Sequence, residues 1–254
     1  DASNQRIRKI VISTGVVTTF AGSSGGFQDG TGTSAKFGGP RGITTDGTNL
    51  YVTDQGNNRI RKIVISTGVV TTLAGSSRGS TDGIGTSARF NKPYDITTDG
   101  TNLYVTDTYN HTIRKIVIST GVVTTLAGSA GSQGSSDATG TAAKFKYPNG
   151  ISSDGTNLYV ADPSNQTIRK IVISTGAVTT LAGSAGSAGS TDGTGTSAKF
   201  NWPEGITTDG KNLYVAERGG HKIRKIDLSK TETAVVSLLN LGDDFPNTPK
   251  IAVD

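Results

Sequence analysis

The stretch Pro40-Arg-Gly-Ile-Thr-Thr-Asp46-Gly, followed by Asn49-Leu-Tyr-Val-Thr-Asp54, Arg59-Ile-Arg-Lys-Ile-Val-Ile65 and Val69-Val-Thr-Thr-Leu-Ala-Gly75, decides the fold. Each piece is short, rich in Val, Ile, Thr and Tyr, and bounded by Gly, Asp, Asn, Ser or Pro, the pattern of β-strands separated by turns. Asp46-Gly47 and Ser66-Thr-Gly68 are turn signals, because glycine adopts positive φ without steric cost. No segment holds a helical period. The same text returns along the chain. Ile-Arg-Lys-Ile starts at Ile7, Ile60, Ile113, Ile168 and Ile223, in steps of 53, 53, 55 and 55 residues. A fixed period of this size marks a repeat architecture.

Four short antiparallel strands per repeat, arrayed radially, describe an all-β protein, a β-propeller of four-stranded blades. A solenoid of four-stranded units is the alternative. The ends of the pattern favour the propeller. Asp1 aligns with Asp54, Asp107, Asp162 and Glu217, so the sequence opens between a second and a third strand. Pro249 to Asp254 aligns with the first strand that begins at Pro40. Residues 1–254 therefore read as a single domain of about five blades, one of them composite and built from both termini. That blade lacks the equivalent of Gly47 to Thr53, which is one strand. Three explanations stand: further blades in a longer parent protein, a disordered strand, or Ile251 to Val253 serving as the second strand. An open blade edge would be a template for self-association. The absence of Met is read as the mark of a processed chain or an excised segment.

Asp107-Thr-Tyr-Asn110-His111-Thr-Ile-Arg114-Lys115 resembles the core of the NHL repeat, in which Asn and His precede an aliphatic strand. Thr71-Thr-Leu-Ala-Gly75, Asp82-Gly-Ile-Gly85-Thr-Ser-Ala-Arg-Phe90-Asn and Pro203-Glu-Gly-Ile206 are similar to bacterial NHL repeats. The resemblance spans essentially the whole chain. Departures are Gln5, Asn58 and Gln166 at the His position and Gly220 at the Asn position. The resemblance implies a propeller whose usual work is binding, and it names no ligand.

Zero Cys excludes a disulfide scaffold, a thiolate nucleophile and Cys-ligated zinc. No apolar run reaches the roughly 18 residues of a membrane-spanning helix, so no membrane insertion is expected. No leader is visible, and the Gly/Ser/Thr-rich text fits an extracellular, periplasmic or cell-surface place. The pairs Asp54/Asn57, Asp107/Asn110 and Asp162/Asn165 read as turn locks whose carboxylates accept backbone N–H groups; the alternative is a ring of metal ligands. Asp29-Gly-Thr-Gly32 and its copies at Asp82, Asp137 and Asp192 each bring one carboxylate where calcium loops bring several. Arg61/Lys62 and their copies are expected to pack their stems between blades and pair with repeated Asp; a polyanion track is the alternative. His111 and His221 share a repeat slot, and two ligands without a third make no catalytic zinc site. The sequence thus reads as a non-enzyme with no catalytic, cofactor-binding or metal-ligating residues and no cofactor.

Fourteen basic and fourteen acidic residues occupy repeated positions, so the frame is neutral. The remaining eleven basic and six acidic residues supply the whole net charge of +5. The copies differ most in the link into the first strand and in the turn between the second and third. A candidate ligand-binding face follows: Arg41, Lys92, Tyr94, Asp95, Tyr109, His111, Lys146, Tyr147, Asn149, Trp202, Glu204, Arg218, His221 and Lys222. Diverse loops on a uniform scaffold are where binding usually lives, and aromatics mixed with Arg suit it. The expected function is a non-catalytic binding or scaffold module for a protein or glycan partner. One alternative is a structural spacer in a larger surface or filament protein. The other is RNA or polyanion binding through the basic face, against which stand the modest +5 and the lack of a Lys/Arg stripe.

Overall fold

In a computed structural model that describes residues 1–229 and 234–239, every full repeat is an antiparallel sheet. The first sheet runs Pro40–Thr45, Asn49–Asp54, Arg59–Val64 and Val69–Ala74, with the two-residue strand Gly30–Thr31 on its outer edge. The second consists of Pro93–Thr98, Asn102–Asp107, Thr112–Val117 and Val122–Ala127 beside Gly83–Ile84. The third consists of Ile151–Ser153, Asn157–Asp162, Thr167–Val172 and Ala177–Ala182 beside Ala138–Thr139. The fourth consists of Pro203–Thr208, Asn212–Glu217, Lys222–Asp227 and Val235–Leu239 beside Gly193–Thr194. A two-stranded hairpin, Ile7–Ile10 with Val17–Ala21, precedes them. The expected four strands are present, and a short fifth joins each set from the Asp-Gly loop. The composite blade expected from Pro249–Asp254 lies outside the described residues.

The described residues fall into two compact units, one of residues 1–109 and 115–124, the other of residues 110–114 and the described residues from 125 onward. Alternation along a strand sends successive side chains to opposite faces, and both faces are buried. In the first unit Tyr51 joins a core with Ile60, Phe90, Ile96, Leu103 and Val105, while its neighbour Val52 joins another with Phe37, Ile63 and Val70. In the second unit Ile168, Phe200, Ile206, Leu213, Val215 and Ile226 form the corresponding core.

The turns between first and second strands are closed by one carboxylate each. Asp46 Oδ1 accepts the N–H groups of Thr48 and Asn49 at 2.8 and 2.6 Å, and its Oδ2 accepts Asn49 Nδ2 and the Tyr51 hydroxyl at 3.0 and 2.8 Å. Asp99, Asp154 and Asp209 repeat this set. Burial pushes the Asp46 carboxyl up, and the donors from Asn49, Tyr51 and Thr48 outweigh it and hold it well below the usual range. Burial and the same hydrogen bond push the Tyr51 phenol above its ordinary value.

The largest fully buried side chains are arginines: Arg61, Arg114, Arg169 and Arg224. Arg61 Nη1 donates to Asp54 Oδ2 at 2.8 Å and to the Lys36 carbonyl at 3.0 Å; its Nη2 donates to Asp29 Oδ1 at 2.6 Å and to the Gln28 carbonyl at 3.0 Å. Arg169 bridges Asp162 and Asp137, and Arg224 bridges Glu217 and Asp192, with carbonyls in the same places. Nε of these three finds no acceptor, and each guanidinium carbon sits 5.0–5.2 Å from the ring centre of Phe37, Phe145 or Phe200. The Asp29 carboxylate also accepts the Thr72 N–H at 3.2 Å, which fastens the fifth strand to the fourth. The expected pairing of this arginine with repeated Asp is therefore realised, and where a calcium loop would hold an ion the Asp29 loop holds a guanidinium. Breaking such a buried pair from one side costs roughly 3–5 kcal/mol.

The fourth sheet carries a compensated exchange. In the third, Asn165 Nδ2 donates to Asp162 Oδ2 at 2.7 Å. In the fourth, Glu217 replaces the Asp and Gly220 the Asn, and Ser190 Oγ donates to Glu217 Oε2 at 3.0 Å instead. A Cβ on Gly220 would collide with that Oε2, so the longer acid fits only because the neighbouring side chain is gone. Gly220→Asn is expected to lower stability in the native background. Glu217→Asp with Gly220→Asn together rebuild the ordinary network and recover the loss, a coupling of about 1–3 kcal/mol. Urea midpoints of the two singles and the double measure it; additive losses would contradict it.

Candidate functional site

The links into the first strands and the turns after the second strands share an unusual backbone. Gln5, Asn58, His111, Gln166 and His221 have φ of 58, 54, 59, 61 and 49°. Lys92, Tyr147 and Trp202 have φ of 56, 55 and 53°, and Gly39 stands in the same slot with φ 69°. L-residues enter this left-handed region at a cost of about 1–2 kcal/mol unless something holds them there. What holds them is a relay from one repeat to the next. Asn58 Oδ1 accepts the Lys92 N–H at 2.8 Å, His111 Nδ1 accepts the Tyr147 N–H at 3.2 Å, and Gln166 Oε1 accepts the Trp202 N–H at 2.7 Å. Gln5 Oε1 accepts the Gly39 N–H in the same way.

The first slot varies in sequence, but every occupant carries a side-chain acceptor. That is the signal that separates it from free variation, and Gln5, Asn58 and Gln166 were absent from the candidate face for want of it. His111 is buried, its Nδ1 is occupied by the relay, and its ring meets Tyr147 edge-on with centroids 4.5 Å apart at 87°. Nδ1 as acceptor places the proton of the neutral ring on Nε2.

In the first unit Arg41, Lys92 and Tyr109 are exposed, Tyr94 is half-buried and Asp95 is buried. Asp95 Oδ1 accepts the Ile96 N–H at 2.9 Å, and the Asp95 N–H donates to Thr106 Oγ1 at 2.9 Å. Arg41 lies over Tyr94, its guanidinium carbon 5.3 Å from the ring centre. In the second unit Trp202, Arg218, His221 and Lys222 are exposed, while Lys146, Tyr147, Asn149 and Glu204 are half-buried. Arg218 Nε lies 3.9 Å from Glu204 Oε2. Contacts among candidates include Arg41 with Tyr94, His111 with Tyr147, and Glu204 with Arg218. The Asp-x-x-Asn carboxylate accepts a side-chain amide from its own turn, as Asp54 Oδ2 does from Asn57 Nδ2 at 2.9 Å, and takes its backbone N–H from the link into the first strand: Asp54 Oδ1 accepts the Gly38 N–H at 2.6 Å, and Asp162 Oδ1 accepts the Lys146 N–H at 3.0 Å. Burial pushes the Asp162 carboxyl up to about 6, against the pull of Asn165, Lys146 and Arg169. Among the described residues no three His, Cys, Asp or Glu side chains are grouped to hold a metal ion, and no helix is long and apolar enough to cross a membrane.

Sheets of this build, repeated at this period, are the blades of a β-propeller. No family model matches the sequence. NHL repeat-containing protein 2 of Gallus gallus is 29% identical, over 89% of this chain and 36% of its own length, so the chain spans about a third of that relative. An auxiliary nutrient binding protein from Bacteroides thetaiotaomicron has a similar solved structure, with TM-score 0.68 and 20% identity over 87% of this chain and 53% of its own. A catalytically inactive virginiamycin B lyase from Staphylococcus aureus, solved with quinupristin, has TM-score 0.57 and 19% identity over 93% of this chain and 63% of its own. The chain is an NHL-repeat β-propeller.

The relay makes a direct prediction. His111→Gln, which supplies the acceptor used by Gln166, is expected to leave stability within about 0.5 kcal/mol. His111→Ala strips the Tyr147 N–H of its acceptor and is expected to cost about 1–3 kcal/mol. Thermal unfolding of both variants checks this; equal losses would refute the relay.

Proposed function

We propose that the chain is a non-catalytic binding module for a protein or glycan partner, presenting Lys92 with Arg41, Tyr94 and Tyr109 in its first unit, and Tyr147 and Trp202 with Lys146, Asn149, Glu204, Arg218, His221 and Lys222 in its second. Asp95 in the first unit and His111 in the second are buried and support these residues from within. The observation that carries the reading is the left-handed slot. Gly39 is the inexpensive occupant, yet three copies hold Lys, Tyr and Trp there. A bulky side chain kept in a strained conformation points to selection for what that side chain does.

The likeness to an auxiliary nutrient binding protein concerns the fold, which in that protein serves binding. The lyase likeness concerns the fold alone, and of the two histidines here one serves the relay. An extracellular or periplasmic setting, with residues 1–254 as one domain of a longer protein, completes the proposal.

Lys92→Gly and Trp202→Gly separate stability from function. Both are expected to melt at or above the wild-type temperature, because glycine relieves the left-handed strain. Both are expected to lose about tenfold or more of capture on an array of immobilised glycans and extracellular proteins. Destabilisation with undiminished capture would overturn the reading.

A further inference from the structure

Pro40 pairs with Asp54, and Pro203 with Glu217, and next to each pair the residue after the proline meets the first residue of the turn that follows the acid. In the fourth sheet these are Glu204 and Arg218, and they neutralise one another across 3.9 Å. In the first sheet they are Arg41 and Gln55, with the arginine on the proline side: Arg41 Nε donates to Gln55 Oε1 at 3.4 Å. The amide steadies the guanidinium and leaves its charge uncancelled. The Tyr94 ring fixes it from a second side at 5.3 Å, a cation–π contact that a guanidinium makes without giving up its in-plane donors. Among the described residues Arg41 makes no ion pair, and Gln55 Nε2 and Lys92 Nζ have no acceptor. Lys92 lies two residues before Tyr94 on the same link and is exposed.

We propose that Arg41, held by Gln55 and Tyr94 and accompanied by Lys92, is an anion-binding subsite of the first unit that takes the carboxylate of an acidic sugar. The inference rests on the binding-module reading and names the ligand class for one part of that surface. A guanidinium fork donates two parallel hydrogen bonds to a carboxylate. The Gln55 amide and Lys92 ammonium are further donors for ring hydroxyls. Protein interfaces centre on a contiguous apolar core, whereas this cluster consists of donors around one half-buried ring, which suits a uronate.

The test titrates the protein with oligogalacturonate, a neutral galacto-oligosaccharide and poly-glutamate, following amide resonances and binding heat. The variants are Arg41→Gln and Gln55→Glu; the second installs in the first sheet the self-neutralised pair that the fourth already has. Oligogalacturonate is expected to shift the Arg41, Gln55 and Tyr94 resonances and to bind about tenfold more weakly to each variant, with melting temperatures unchanged and the neutral sugar insensitive to both. If oligogalacturonate binds both variants as tightly as wild type, the subsite is refuted and the binding module stands. If poly-glutamate alone responds to Arg41, the ligand is an acidic protein and the sugar assignment falls. If no probe shifts any resonance at the links of either unit, the subsite and the broader reading fall together.

Discussion

A guanidinium with no access to water finds acceptors only inside the protein. Arg61 and its copies set that requirement in each sheet, and much of the blade follows from meeting it. Two carboxylates and two carbonyls converge on one side chain, drawn from the loop at Gln28 and Asp29, the chain at Lys36 and the end of the second strand at Asp54. Because those groups are far apart in sequence, the arginine closes the loop that becomes the fifth strand. Through Asp54, which also accepts the Gly38 N–H, it orients the link into the first strand. Glycine-rich text that could be flexible by composition is tied down by one charge.

The link and the turn that it faces then hold each other across repeats. An acceptor at Asn58, His111 or Gln166 caps an N–H at Lys92, Tyr147 or Trp202. Both backbones are left-handed, so neither is what its side chain would choose alone. The backbone is therefore common to the copies while the outward side chains differ. This division lets one scaffold carry a cation, a phenol and an indole in equivalent places, and it lets the pair between link and turn be charged in one sheet, as at Arg41/Gln55, and neutral in another, as at Glu204/Arg218.

Strand positions and the pairing of Arg61 with repeated Asp were legible in the sequence, because strand period, turn residues and recurrence act locally and every copy repeats them. The turn at Asp46 was legible for the same reason. The fifth strand was not, since Gly30–Thr31 is set by a carboxylate 43 residues from the Thr72 it binds. The burial of His111 and Asp95 was hidden because variation between copies looks the same whether a slot is free or constrained to carry an acceptor. The Glu217/Gly220 exchange shows the same difficulty: two departures from the repeat that look independent in sequence are one event in space.

The central claim is that within each unit the variable links and turns are rigid, held by side-chain acceptors, and not mobile loops. Amide hydrogen exchange tests it directly at Lys92, Tyr147 and Trp202. Lys92 and Trp202 point their side chains to solvent, so an uncapped loop there would exchange at nearly the rate of an unfolded chain. The relay predicts protection of about a thousandfold or more at all three, close to that of the neighbouring strands. Exchange of these amides at unprotected rates, with the strands protected, would contradict it.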